Sequence, residues 1–246
     1  MKKAKLILLA LFVLIMFLGC NKNSGSAKPT VVQNEIFEFG SGNLGVVADN
    51  KVKIFRRFDN KWQEMTDDEF TLPVGYKNVF GFRLGRTRIY CLGVIINDKV
   101  KFFNVNNKWQ ETTDYEFTLP FGYKNVFGFG GEYLGVVINN KVKFFYHDYN
   151  WGEADGEFIL PNGYKNVFGF RKEYLGVVIN NKVKIYMFDS DNWEELTDTE
   201  FTLPNGYKNV FSFIDGLCVV LPNSAKIYRF MQDKWQEMTN YEFTLK

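Results

Sequence analysis

Four times the chain places Tyr-Lys-Asn behind a Pro-x-Gly turn: Tyr76, Lys77 and Asn78; Tyr123, Lys124 and Asn125; Tyr164, Lys165 and Asn166; Tyr207, Lys208 and Asn209. An aromatic face beside an ammonium and an amide is what a sugar ring or a polar peptide loop needs: stacking area plus directional hydrogen bonds. These twelve residues form the candidate ligand-binding set. A plainer reading stands beside it, in which the Tyr plugs a gap between packed elements and the Asn caps a turn. A second constellation is basic. Arg83, Arg86 and Arg88 lie in "RLGRTRIYC", and with Arg56 and Arg57 they make five of the seven arginines. Guanidinium groups suit carboxylate and phosphate partners, so this stretch is either a docking spur for an acidic partner or an idle long hairpin.

For catalysis the residues are few. His147 is the one histidine, which leaves no His-based metal site or triad. There is no Gly-x-Ser-x-Gly elbow and no phosphate loop. Acids recur near each tryptophan (Glu64, Glu111, Glu153, Glu195, Glu237), but their spacing fits no calcium loop and reads as a solvated edge. The expectation is a protein that is not an enzyme and holds no cofactor or metal.

The elements that position these residues repeat. Trp62, Trp109, Trp151, Trp193 and Trp235 are spaced 47, 42, 42 and 42 residues apart, and Phe70, Phe117, Phe158, Phe201 and Phe243 keep the same rhythm. Five units follow, from near Asn34, Lys77, Lys124, Lys165 and Lys208, the first opening with "NEIFEF", a worn "KNVFGF". Such a period marks a repeat architecture. Each unit reads as four strands; in unit four these are "NVFGF", "YLGVVI", "KVKIYMF" and "NWEEL" running into "EFTL". The Asn-Asn between the second and third suits a two-residue hairpin, because Asn tolerates positive φ.

No stretch after Leu18 keeps a helical period. Four short strands in about 42 residues match a propeller blade. Strands such as "KVKFF", with Val142 and Phe144 on one face and Phe145 on the other, suit a sheet covered on both sides. The expected fold is all-β, a five-bladed β-propeller of five four-stranded repeats, with an open β-repeat array as the alternative. Gly128 and Gly169, costly inside a strand, would let an innermost strand approach the axis. The tryptophans read as blade-to-blade core rather than ligand platforms. Cys91 and Cys218 fall in apolar runs of units two and five. These are not neighbours in a ring of five, which favours buried thiols over a disulfide.

The order "GYKNVFGF…YLGVVINNKVKIYMF…NW" resembles the repeat of the tachylectin-type five-bladed propeller lectins, a likeness of pattern across residues 34–246. What it implies is the propeller fold and carbohydrate binding at equivalent sites on or between blades.

The N-terminus "MKKAKLILLALFVLIMFLGC" has lysines, an apolar run from Leu6 to Leu18, and a cysteine. The run is short of the roughly 20 residues a membrane span needs and has the form of a secretory signal. "FLGC" resembles the lipobox of bacterial lipoproteins, which implies cleavage after residue 19 and lipid attachment at Cys20. Residues 20–33 are polar and read as a flexible tether, and residues 34–246 as the propeller. Cleavage removes Lys2, Lys3 and Lys5, leaving 27 of the 30 basic side chains against 28 acidic ones. No field remains to recruit nucleic acid. The expectation is a module anchored at Cys20 in a bacterial cell envelope, at the outer membrane or cell surface. It would bind a glycan or an envelope protein through repeated shallow sites, or serve as a scaffold for one partner at the arginine-rich hairpin.

Overall fold

A computed structural model describes residues 35–245 apart from 41, 66–68, 85–88, 107, 131, 172 and 191. The leader, Cys20 and the tether lie outside the described residues, as do Arg86 and Arg88. Every sheet is antiparallel and is built from one repeat. In blade 3 the innermost strand, Tyr123–Phe129, pairs with Tyr133–Ile138, which pairs with Lys141–His147, which pairs with Trp151–Ile159. The innermost strands of the other blades are Glu35–Glu38, Asn78–Leu84, Tyr164–Phe170 and Asn209–Phe213. Each touches the next in chain order, and the first touches the last. The ring is closed, and the chain is a five-bladed β-propeller.

The hairpins between second and third strands follow the Asn signal. Asn139 and Asn140 have φ of 47° and 64°, and Asn180 and Asn181 have 47° and 65°, the two left-handed residues that such tight turns require. The second Asn also ties its turn to the outer strand. Asn50, Asn140 and Asn181 each donate Nδ2–H to a leucine carbonyl, Leu72, Leu160 and Leu203 respectively, at 2.8–2.9 Å. At the axis, a Cβ on Gly128 would stand 2.7 Å from the Gly81 carbonyl oxygen, and one on Gly169 would stand 2.5 Å from that of Gly128. Those glycines are what lets the strands close the ring, as expected.

The core is five layers, each shared by two adjacent blades. Phe37, Val52 and Ile54 pack with Val79, Leu92 and Val94 between blades 1 and 2. Ile36, Leu44 and Val46 pack with Phe213, Cys218 and Ile227 between blades 1 and 5. Val142 and Phe144 face blade 4 while Phe145 faces blade 2. Among the described residues, Cys91 and Cys218 are both buried and free.

Each tryptophan latches onto the preceding blade. Trp193 stacks on Phe144 of blade 3, with centroids 5.5 Å apart, and donates its indole N–H to the Gly156 carbonyl at 2.9 Å. Trp62 reaches from blade 1 to Phe213 and Phe243 of blade 5 and donates to the Tyr241 carbonyl at 3.3 Å. The glutamates that follow the tryptophans pair with third-strand lysines, as in Lys184–Glu195 at 2.7 Å and Lys226–Glu237 at 2.9 Å. These pairs are partly exposed, and each is worth about 0–1 kcal/mol.

One strand assignment is corrected. Among the described residues the outer strand is unbroken only in blade 3. In blade 4 it is two pieces, Asn192–Glu195 and Phe201–Thr202, both paired with the third strand Lys182–Asp189 and separated by a 3₁₀ turn at Thr197–Thr199. The cause is length. Trp193 to Phe201 spans eight positions and Trp151 to Phe158 spans seven. The extra residue leaves the ladder as a turn, whereas blade 3 absorbs its irregularity as a bulge between Val142 and Phe144.

Candidate functional site

The Pro-x-Gly-Tyr segments are turns on one face of the disc. Tyr76, Tyr123, Tyr164 and Tyr207 donate their backbone N–H to Pro73, Pro120, Pro161 and Pro204 at 3.3 Å. The glycine between has φ of 78–84°, as a type II turn demands. The residue before that glycine is exposed, and the apolar Val74 and Phe121 project fully into solvent. All four tyrosines are half-buried, and each packs against the core layer at its blade junction. Lys77, Lys124, Lys165 and Lys208 are exposed.

The asparagines are turned inward. Asn78, Asn125, Asn166 and Asn209 each accept the next residue's N–H at Oδ1, at 2.8–2.9 Å. Asn78 donates Nδ2–H to the Val126 carbonyl, Asn125 to that of Val167 and Asn166 to that of Val210, at 3.3–3.4 Å. They stitch successive blades together near the axis.

The four junctions are not alike. Where the other hairpins carry Asn, blade 2 carries Asp98, whose φ is 60°. A carboxylate cannot donate to a leucine carbonyl, and Asp98 turns to Lys77 instead, at 2.6 Å, and accepts from the Tyr123 hydroxyl at 3.2 Å. Lys77 Nζ lies 3.4 Å from that hydroxyl and 5.7 Å from the tyrosine ring centroid. The hydrogen bond that Lys77 donates to Asp98 raises the Lys77 pKa, and Lys77 with Tyr123 lowers that of Asp98. Both therefore stay charged across the ordinary pH range. They flank a groove of about 580 Å³ between blades 2 and 3, which Phe121, Lys124 and Asn125 also line. Ammonium, carboxylate, phenol and an exposed phenyl ring thus share one open cleft.

On the opposite face, the turns between first and second strands surround the mouth of the axial channel. Blade 2 extends furthest, with the extra paired rows Arg83–Tyr90 and Leu84–Ile89. The axial cavity holds about 620 Å³ and is lined by Glu38, Arg83, Tyr90, Glu132, Arg171 and Ile214, among others. Arg83 of the arginine-rich hairpin therefore faces the axis. Sequence reasoning missed Glu35 and Glu38. Aligning "NEIFEF" under "KNVFGF" sets Glu35 against the four asparagines and Glu38 against Gly81, Gly128, Gly169 and Ser212. Burial pushes both carboxyl groups up to about 7. His147 packs against Tyr115 and Trp151, with centroids 4.4 and 5.3 Å apart. Among the described residues, no three His, Cys, Asp or Glu groups are grouped to hold a metal.

No protein-family profile matches the sequence, and no curated protein does. Among solved structures, Hsv2 of Kluyvelomyces marxianus is 14% identical with a TM-score of 0.43, over 83% of each chain. The WD40 domain of SCAP from fission yeast is 13% identical with a TM-score of 0.43, over 87% of this chain and 56% of that one. A Bacteroides uniformis protein provisionally named a 6-phosphogluconolactonase is 9% identical with a TM-score of 0.44, over 84% and 70%. These values describe a likeness of shape, and no activity is carried across by it.

Proposed function

We propose that this propeller is a non-catalytic binding module, lipid-anchored at Cys20 in a bacterial cell envelope, which recognises glycans through its crossover face. The groove between blades 2 and 3 carries the reading. Tyr123, Lys77 and Asp98 present a ring edge, a cation and an anion within hydrogen-bond reach of one another, and Phe121 stands fully exposed beside them. A sugar meets such a cleft through its apolar C–H face and its hydroxyls together. The junctions at Tyr164 and Tyr207 offer simpler versions, with Lys124 and Lys165 in the place of Lys77, and several weak sites on one disc gain by avidity, by about 10²–10⁴-fold where the geometry allows joint engagement. The pattern shared with tachylectin-type lectins points the same way.

The test is a glycan array with the full chain beside Lys77→Ala and Tyr123→Ala. The reading expects a defined set of glycans to bind and both variants to lose at least about tenfold, since each removes a hydrogen bond to a charged or aromatic partner worth roughly 1.5–3 kcal/mol. A blank array would contradict it. The anchor is tested separately: metabolic labelling with a palmitate analogue should mark the parent chain and fail with Cys20→Ser.

A further inference from the structure

The axial position of the ring is occupied by Gly81, Gly128 and Gly169 in three blades and by Ser212 in a fourth, but by Glu38 in blade 1. A carboxylate at a place where glycines are needed for close approach departs from the repeat at its tightest point. It does not stand alone. The blade 5 turn that meets it holds Ile214 at φ 54°, an outlier for a β-branched residue that the surroundings must enforce. In that conformation the Ile214 N–H donates to Glu38 Oε1 at 3.2 Å. Across the same cavity, Arg83 makes no hydrogen bond or ion pair among the described residues, and its Nε is buried without a partner. A buried, unpaired guanidinium N–H is costly. Arg171, by contrast, is engaged, donating Nη2–H to the Asp215 carbonyl at 3.0 Å.

We propose that the mouth of the axial channel is a second binding site, for a small carboxylate that the Arg83 guanidinium takes as its missing partner and the Glu38 carboxyl hydrogen-bonds. The cavity of about 620 Å³ is within the ~300–1,000 Å³ of small-molecule sites. The charges of its described wall balance, which suits a ligand of low rather than high charge. Arg83 of blade 2 and Arg171 of blade 4 stand against Glu132 of blade 3 and Asp215 of blade 5, beside the ring of Tyr90 of blade 2 and the Cys218 thiol of blade 5, which burial keeps protonated. Among the described residues one lining guanidinium, that of Arg83, is without a partner, which matches a single carboxylate rather than a phosphate dianion. Desolvation holds the Glu38 carboxyl near 7, with Asp215 adding to the rise and the Ile214 N–H opposing it. Below that pH Glu38 donates a proton to the ligand in a hydrogen bond; above it, Glu38 repels.

Isothermal titration of the full chain with acetate, L-lactate and gluconate at pH 6 and pH 8 tests this. Expected is binding at pH 6 that weakens about tenfold at pH 8, where only about a tenth of Glu38 keeps its proton. Arg83→Ala should abolish binding. Glu38→Gln, which keeps a neutral hydrogen-bonding group, should bind as well at pH 6 and lose the pH dependence. The proposal is overturned if none of the three acids binds at pH 6, if Arg83→Ala binds as the parent does, or if inorganic phosphate binds more tightly than all three. The crossover-face variants Lys77→Ala and Tyr123→Ala leave this titration unchanged, so the two sites fail or stand separately.

Discussion

On the crossover face, four copies of Pro-x-Gly-Tyr-Lys-Asn put the same side chains at the same stations. On the opposite face, the turns between first and second strands differ in every blade: a long hairpin in blade 2, a tight Ile214–Asp215 turn in blade 5, and glycine-bearing turns in blades 1 and 3. Repetition and use do not coincide. The most faithfully repeated groups, the asparagine amides and the tryptophan indoles, are engaged in holding blade to blade. The groups around which the proposed sites are built sit where a copy departs from its siblings: Asp98 in place of Asn, Glu38 in place of Gly, and Arg83 on the lengthened hairpin. In a ring of near-identical units, the repeat builds the ring, and the proposed sites are centred on its exceptions.

That contrast can be broken at its strongest point first. Trp193→Ala removes a ring that packs on Phe129, Phe144 and Phe158 and a hydrogen bond to Gly156. It should cost about 3–5 kcal/mol and lower the melting temperature by roughly 10 °C or more, as calorimetry would read. Next is Asn125→Ala, which orphans the Val126 N–H and the Val167 carbonyl. A loss of about 1–3 kcal/mol follows, with the chain still folded.

Glu35→Asn sharpens the comparison from the other side by restoring the repeat. The folded-state pKa of Glu35 is raised to about 7 from an ordinary 4.5. The folded chain therefore keeps a proton that the unfolded chain has already lost between those values. Stability falls as pH rises from about 4.5 to about 7 and is level above. Asn carries no such penalty, so the variant should melt a few °C above the parent at pH 8, with the gain vanishing near pH 4. The smallest effect on stability belongs to Lys226→Ala, which breaks the exposed pair with Glu237 and should change the melting point by no more than about 2 °C.

The ring was legible because two periods reinforce each other: a 42-residue return of Trp and Phe, and an alternation of apolar residues suited to sheets covered on both faces. The hairpins were legible from Asn-Asn, since few residues accept φ near 47° and 64°. The break in the outer strand was not, because one additional residue between Trp193 and Phe201 looks the same in sequence whether it bulges or leaves the ladder. The direction of the asparagine side chains was hidden too. An amide beside a turn reads equally as a ligand contact or a stitch, and only the position of the next blade decides. Glu35 and Glu38 were visible as letters. What they face depends on the first blade meeting the fifth, a contact between residues 176 positions apart in the case of Glu38 and Ile214.

The most direct test of the account is to put the parent chain and Asp98→Asn side by side on the same glycan array. Asp98→Asn makes blade 2 spell the repeat as blades 3 and 4 do, and its new amide can donate to the Leu119 carbonyl as Asn140 does to that of Leu160, so folding is preserved. The account predicts that the parent binds and that Asp98→Asn loses most of that binding at an unchanged melting temperature. Equal binding by the two chains would show that the repeated residues, not the exception, make the site, and would contradict the account.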